Sequence, residues 1–200
     1  MTRSPDVPDM TLNCPITTGD KNGYRKKLSE PRDITFRKLT LHEEDIFVRE
    51  IQTAFDKAAV EEFGPQEETV IPDVIVLSSI HEANTETFRI FSNGVAIGGV
   101  VVRLNPETRR NGLDLMYINP EDQGFGFGQK VWRMIEVMYP ETEVWETFTP
   151  FFEKRNIHFY VNKCGFHVVE FFNPHHPSTF DPGTPGGEYF LRFEKHMKPN

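Results

Sequence analysis

Hydrophobic and polar residues alternate around Ile34 and Phe36, which predicts a first β-strand because successive strand side chains face opposite sides. The pattern then changes to that of a helix. Thr40 precedes Glu43 with the spacing of an N-terminal capping box. Apolar residues at helical intervals follow the box, so the pattern predicts a helix over Leu41–Ala59.

Three β-rich runs occupy residues 86–120. Asn93-Gly94 separates the first two runs, and this dipeptide is a strong signal for a hairpin turn. A longer turn over residues 105–112 separates the second and third runs. These signals predict three consecutive antiparallel strands, preceded by a loop or short helix in the acidic segment 60–73.

The second half of the chain predicts two helices and three strands. The first helix is indicated by apolar residues at helical intervals, namely Val131, Ile135 and Met138, and Pro140 ends this helix. A strand follows over residues 143–150, and Thr149-Pro150 predicts the start of a helix that stops at Gly165. Two terminal strands complete the order β-α-β-β-β-α-β-α-β-β, a mixed α+β fold dominated by one sheet.

Length and charge limit the classes of function. The chain has 200 residues, enough for one domain, and we expect an N-terminal extension over residues 1–31 and a folded domain over residues 32–197. The net charge of −8 argues against a nucleic-acid partner. Because the chain carries neither a signal-peptide pattern nor an apolar run long enough to cross a bilayer, we expect a cytoplasmic protein with no membrane partner.

The stretch NPEDQGFGFGQKVW, residues 119–132, has three glycines in five positions just before a predicted helix. Glycines in such a place often form a turn whose backbone N–H groups bind phosphate. The stretch is not a nucleoside-triphosphate loop, because Gln129 follows Gly128 and no Ser or Thr follows Lys130. It is not a dinucleotide fingerprint either, since that motif requires a third glycine and a parallel βαβ unit.

The remaining pattern, Gln123-x-x-Gly126-x-Gly128 between a strand and a helix, resembles motif A of the GNAT superfamily of N-acetyltransferases. The segment RNIHFYVNKCGF, residues 155–166, is similar to motif B, and the resemblance extends from about residue 34 to residue 197. It implies a GNAT fold, which is α+β with a central, mostly antiparallel mixed sheet of about six to seven strands flanked by helices. It also implies acetyl-CoA as the acyl-donor substrate and no metal.

The resemblance implies a cofactor site built mainly from backbone groups. In the family the pantetheine arm pairs with the fourth strand, here residues 115–118, and the diphosphate lies on the glycine turn. The implied cofactor-binding residues are Met116, Tyr117, Ile118, Gln123, Gly124, Phe125, Gly126, Phe127, Gly128, Gln129 and Asn156. Phe125 stands where the family often has a basic residue, so Lys130 and Arg133 are candidates for contacting the phosphates.

Acyl transfer to an amine needs a base for the ammonium group and a proton donor for the leaving thiolate. By resemblance Tyr160 would be the donor, although four residues separate it from Gly165 where the family usually has three. One extra residue rotates a helix by about 100°. Asp114 and Glu146 are alternative bases, and strand alternation predicts Asp114 on the same face as Met116.

We therefore predict an acetyl-CoA-dependent N-acetyltransferase that acts on a primary amine of a small molecule or a protein by direct attack on the thioester. The alternative is a catalytically silent acyl-CoA-binding module that serves as a sensor or scaffold. The loop after the first helix predicts a cationic acceptor because it is rich in carboxylates: Glu61, Glu62, Glu67, Glu68 and Asp73. Domains of the family often pair, so a homodimer is possible.

Overall fold

Seven strands form one sheet in the computed structural model, which describes residues 33–178 and 188–198. The strands are β1 (Ile34–Lys38), β2 (Thr85–Ser92), β3 (Val95–Arg103), β4 (Arg110–Ile118), β5 (Val144–Pro150), β6 (His167–Phe172) and β7 (Phe190–His196). Their spatial order is β1-β2-β3-β4-β5-β7-β6. Within the described residues every neighbouring pair is antiparallel except β4 and β5, which are parallel. The predicted α+β fold with a mostly antiparallel mixed sheet is confirmed.

Helices cover both faces of this sheet. They are α1 (Glu44–Phe63) after a 3₁₀ turn (Leu41–Glu43), α2 (Asp73–His81), α3 (Phe127–Met138) and α4 (Lys154–His158), which continues as a π-helix (Phe159–Cys164). The capping box forms as predicted, because the Glu43 carboxylate accepts the backbone N–H of Thr40 at 3.3 Å. In the two described ranges, no helix has the length and apolar character needed to cross a membrane.

The helix α2 is an element that the sequence pattern did not predict. Its apolar residues 74–77 form a continuous run, so helical periodicity gave no signal. Packing stabilises the helix instead, since Val76 is fully buried in the cluster beneath α1. The helix α1 also continues past Ala59 to Phe63, where Gly64 ends it with a φ of 80°.

The predicted helix start at Thr149-Pro150 is wrong. The strand β5 continues to Pro150, which pairs with Phe190 of β7. Trp145, Thr147 and Thr149 are buried at every second position, so the two-residue period of a strand persists to the proline. Pairing and burial therefore override the local N-cap signal.

Two hydrophobic clusters lie on opposite faces of the sheet and meet at β4. The first packs α3 against the sheet and contains Leu113 and Trp132. The second lies beneath α1 and α2 and contains Phe47 and Leu115. The fourth strand therefore contributes to both halves of the core, which fixes its position in the centre of the sheet.

A β-bulge in β4 determines which way its side chains face. Two adjacent residues of β3 pair with Leu113 and Leu115, so Asp114 is the extra residue. Met116 packs with the cluster that contains Leu113. Gly112 lies on the opposite face from Leu113, and a Cβ added to Gly112 would lie 2.5 Å from the Asp114 carboxylate. Asp114 therefore lies on the face of Gly112. The prediction that Asp114 shares a face with Met116 is therefore wrong, because the bulge breaks the alternation.

Candidate active site

The parallel strands β4 and β5 separate shortly after they begin. They pair only where Arg110–Gly112 lies beside Val144–Glu146. The Thr147 hydroxyl then donates a hydrogen bond to the Leu113 carbonyl at 2.8 Å, and no strand of the described chain pairs with this edge of β4 beyond that point. A cleft of about 570 Å³ opens there, bounded by α1, the loop after β4, α3 and α4. Such a cleft can take an extended ligand whose amides pair with the free edge of β4.

Two glycines give the turn after β4 a backbone conformation that other residues adopt with difficulty. Gly124 has a φ of 83° and Gly126 a φ of 78°. Both line the cleft, and a Cβ added at either would meet nothing within 4 Å. Gly126 is also the N-cap of α3, and the first N–H groups of an α-helix have no partner within the helix. The turn therefore forms an open, electropositive position where an anion such as a diphosphate can bind.

The third glycine, Gly128, has a packing role. A Cβ at this position would lie 3.1 Å from the ring of Phe159, so the missing side chain lets α3 and the π-helix approach closely. Gln129 supports the same contact, because its Nε2 donates a hydrogen bond to the Lys163 carbonyl at 2.8 Å.

The structure brings together along the cleft all the predicted cofactor-binding residues except Phe125: Met116, Tyr117, Ile118, Gln123, Gly124, Gly126, Phe127, Gly128, Gln129 and Asn156. Phe125 is half exposed beside them. The Gln123 Nε2 donates to the Ile118 carbonyl at 2.9 Å, and the Asn156 Nδ2 to the Thr149 hydroxyl at 3.4 Å. These side chains position the backbone around the cleft, which leaves backbone groups to face a ligand.

Tyr160 lies in the hydrophobic core and does not line the cleft. Only 7% of its surface is exposed, and its ring packs against Phe166 and Phe193. Burial raises the pKa of the phenol to about 12, although hydrogen bonding with Thr147 opposes the rise, so the phenol stays protonated at neutral pH. Thr147 directly follows Glu146, the last β5 residue paired with β4. The phenol is therefore close to the point where the two strands separate.

The extra residue between Tyr160 and Gly165 is absorbed by the π-helix. A π turn accommodates one additional residue locally and leaves the flanking turns in register. The N–H of Phe166 donates to the Tyr160 carbonyl at 2.9 Å, and Gly165 ends the helix with a φ of 80°. The wider turn explains how an unusual spacing is compatible with the fold.

The two carboxylates predicted as alternative bases are held in ion pairs and do not line the cleft. The Asp114 carboxylate lies 3.2 Å from the Nε of Arg103, and burial raises its pKa. The Glu146 carboxylate lies 2.9 Å from Arg192 and 3.8 Å from Arg110. The structure therefore brings neither Asp114 nor Glu146 into the cleft.

The carboxylates that the sequence analysis assigned to the loop after the first helix also lie outside the cleft lining, and the structure places Glu61 and Glu62 in the last turn of α1. Glu61 is 3.5 Å from Arg155 and Glu62 is 3.6 Å from Lys154, so both pair with cations of α4. The others lie further along the loop: Glu67 and Glu68 beside a second hollow of about 210 Å³, and Asp73 beside Gln52. The negative charge of these carboxylates is thus partly neutralised near the cleft.

A carboxylate that the sequence analysis missed lies in the cleft itself. Glu153 lines it between β5 and α4, and its carboxylate has no hydrogen bond or ion pair with another described residue. Burial raises its pKa to about 7; Arg155 opposes the rise and Glu61 adds to it. The predicted helix start at Pro150 put Glu153 near the start of a helix, where acidic residues are common, so no sequence signal distinguished it.

The sheet and the cleft together define a class of protein. A parallel pair of strands that separates in an otherwise antiparallel sheet, with a glycine turn and a helix N-terminus at the cleft, is the arrangement expected of a GNAT acetyltransferase. The chain belongs to that family: residues 40–166 match the sequence model described as the acetyltransferase (GNAT) family.

Similar proteins include an uncharacterized protein, YrkN, of Bacillus subtilis (strain 168), which is 44% identical over 161 residues, 76% of this chain and 87% of YrkN. The ribosomal-protein-S18-alanine N-acetyltransferase from Escherichia coli has a TM-score of 0.62 at 12% identity, over 84% of this chain and 96% of that chain. The spermidine N-acetyltransferase from Vibrio cholerae, in complex with CoA and spermine, has a TM-score of 0.58 at 16% identity, over 82% of this chain and 95% of that chain. At these identities the two solved structures establish the shared fold.

Proposed function

We propose that the protein is an acetyl-CoA-dependent N-acetyltransferase that acetylates a primary amine of a small molecule or a protein. The observation that carries the proposal is the cleft, which opens where β4 and β5 separate and reaches the turn of Gly124 and Gly126. Membership of the GNAT family and the shared fold with amine acetyltransferases support it.

Acetyl-CoA would bind along this cleft in an extended conformation. The diphosphate would take the open space beside Gly124 and Gly126, where the N-terminus of α3 favours negative charge. The pantetheine amides would pair with the free edge of β4 over residues 115–118, and the thioester would then lie near Thr147. Holding the thioester at a fixed point lowers the entropy cost of the attack by the amine.

Tyr160 remains our candidate for the group that protonates the leaving thiolate. Two observations support this role. The phenol is protonated at neutral pH, and Thr147, with which it hydrogen-bonds, lies where the cleft begins. General acids of this kind contribute about 10²- to 10⁴-fold to a rate.

A cationic amine is the acceptor that the charges favour. The chain carries a net charge of −8, and Glu153 lines the cleft with a carboxylate that forms no ion pair with another described residue. A negative net charge attracts cations and repels anions, and a carboxylate in the cleft can bind an ammonium group directly. We therefore propose a polyamine, an amino sugar or a basic peptide end as the acceptor class.

A panel of amines tests the proposal. The purified protein is incubated with acetyl-CoA and single amines, CoA thiol release is followed, and each product is weighed by mass spectrometry. We expect amine-dependent thiol release and an acetylated product for cationic amines. Thiol release that no amine stimulates would count against the proposal.

A second candidate is an acyl-CoA-binding module without catalysis. Two observations favour it: Asp114 and Glu146 are both held in ion pairs, and Tyr160 does not line the cleft. A protein of this kind would bind acetyl-CoA as tightly as the proposed enzyme but leave the thioester intact in every member of the amine panel. The two candidates therefore differ in turnover and agree in binding.

A further inference from the structure

The connection between β5 and α4 is fastened to the last turn of α1 on both sides of Glu153. Three contacts hold it: the ring of Phe152 edge-on to Phe63 (4.9 Å between centroids), Lys154 to Glu62 (3.6 Å) and Arg155 to Glu61 (3.5 Å). Single ion pairs at a surface add little stability, but together the three contacts define where this segment lies. They hold Glu153, a residue of the cleft lining, beside the last turn of α1.

The backbone of Glu153 is also fixed. Its N–H donates to the Pro150 carbonyl at 3.1 Å, and its carbonyl accepts the N–H of Ile157 at 3.1 Å. Its neighbours pair with α1, whereas Glu153 itself lines the cleft, and its carboxylate has no hydrogen bond or ion pair with another described residue. Glu153 is partly buried, so ionisation of its carboxylate carries a cost, and an ammonium group that arrives with the substrate would offset that cost.

We propose that Glu153 binds the ammonium group of the acceptor and removes its proton. The inference rests on the proposed N-acetyltransferase function and names the base for it. The Glu153 carboxylate takes one proton from the ammonium group, and the neutral amine attacks the thioester carbonyl carbon. The C–N bond forms, the C–S bond breaks, and a second proton leaves the nitrogen and ends on the thiolate. The products are the amide and CoA thiol, and Glu153 then releases its proton to water.

Three groups interact electrostatically with Glu153: Glu61 on α1, Arg155 on α4 and Tyr160 on the π-helix. Other charged or titratable residues of the cleft lining are Asp122, His158 and Lys163. Burial is the main cause that brings the pKa of Glu153 to about 7. A base with a pKa near the working pH combines a useful ionised fraction with a useful proton affinity. The alternatives Asp114 and Glu146 lack this access, because each is paired with arginine outside the cleft lining.

The experiment compares the wild type with Glu153→Gln, which keeps the shape of the side chain and removes the titrating group. The kcat/KM for a cationic amine is measured from pH 5 to pH 9.5. We expect the wild-type profile to rise with an apparent pKa near 7, and Glu153→Gln to lose both this limb and about 10²- to 10⁴-fold in kcat. The thermal stabilisation by acetyl-CoA should be the same in both proteins, which separates loss of the base from loss of the cofactor site.

Two further variants sharpen the test. Glu141→Gln is the matched control, because Glu141 is an exposed carboxylate after α3 that lies outside the cleft lining and makes none of the contacts that hold the Glu153 segment, and its profile should not change. Glu61→Gln removes a negative neighbour, so the limb should move to lower pH. A Glu153→Gln protein with the wild-type limb and a kcat within threefold overturns the assignment while the proposed function stands. A wild type that transfers no acetyl group to any amine overturns both.

Discussion

Replacing Gly126 with alanine tests the glycine turn, and Gly94→Ala provides a matched control. Gly126 has a φ of 78° and Gly94 a φ of 79°, and a Cβ added at either meets nothing within 4 Å. The two substitutions should therefore carry the same backbone penalty, about 1–2 kcal/mol for an L-residue in the left-handed region. They differ in location, because only Gly126 lines the cleft and caps α3.

The expected sizes follow from this difference. A loss of 1 kcal/mol lowers the Tm of a domain of this size by about 2–4 °C, so both variants should melt somewhat below the wild type. Acetyl-CoA at a hundredfold excess over its Kd stabilises the native state by about 2.7 kcal/mol, which corresponds to a Tm rise of about 5–10 °C. If the new methyl group weakens binding a hundredfold, the same acetyl-CoA concentration stabilises Gly126→Ala by only about 0.4 kcal/mol.

The assay is a thermal melt of the three proteins with and without millimolar acetyl-CoA, with NAD as a second ligand. We expect the wild type and Gly94→Ala to show the full rise with acetyl-CoA, Gly126→Ala to show about 1 °C, and NAD to do much less in all three. A full rise in Gly126→Ala, or a larger rise with NAD, would refute the assignment of the diphosphate to this turn.

Three other predictions concern the acid, the base and the acceptor. Tyr160→Phe should lower kcat by about 10²- to 10⁴-fold and leave acetyl-CoA binding unchanged. The lost hydrogen bond should lower the free energy of unfolding by about 1 kcal/mol. If the variant keeps full turnover, Tyr160 has only a packing role. Glu153→Gln should be more stable than the wild type above pH 7. The Glu153 pKa rises from 4.5 to about 7 in the folded state, so its contribution is fully present below pH 4.5 and is lost as the pH rises through 7. The pKa shift corresponds to a free energy of at most about 3 kcal/mol. Because the carboxylate partly reaches solvent, we expect the free energies of unfolding of the two proteins in urea to differ by about 1 kcal/mol. Equal stability of the two proteins at pH 8.5 would contradict this. For matched amines, kcat/KM should favour the cation, and the preference should shrink as salt shortens the Debye length to about 8 Å; a cationic acceptor that is indifferent to salt would count against steering.

The parts of the fold that local pattern predicted are those in which one signal acts without competition. The capping box at Thr40, the turn at Asn93-Gly94 and the end of α3 before Pro140 all appear in the structure. The cofactor side of the cleft follows the same rule. Residues 116–129 are contiguous in sequence, so a short motif could collect nearly all of them.

The elements that pattern missed depend on contacts between distant segments. Val76 makes α2 helical by packing beneath α1, and pairing with β7 keeps Pro150 in a strand. Asp114 lies on the opposite face of the sheet from the predicted one because of a bulge, and that bulge depends on the register of β3 and β4. Neither register nor packing can be read from the local order of residues.

Glu153 illustrates the same limit at the candidate site. Glu153 lines the cleft without an ion pair to another described residue, while the neighbouring Arg155 and Lys154 pair with Glu61 and Glu62 of α1. In the sequence, no feature distinguishes these five residues from the other charged residues of the chain. Only the folded arrangement distinguishes Glu153, which lines the cleft, from the carboxylates that pair with cations outside it.

The transfer of a labelled acetyl group tests the central claim most directly. The protein is incubated with acetyl-CoA carrying ¹³C at the acetyl carbonyl and with the cationic amine that gave the fastest thiol release, and the carbon is followed by NMR. The account predicts that the label moves to an amide on the amine nitrogen, at a rate that Gly126→Ala strongly reduces and Gly94→Ala does not. Label that stays on acetyl-CoA, or appears only as free acetate, would contradict it.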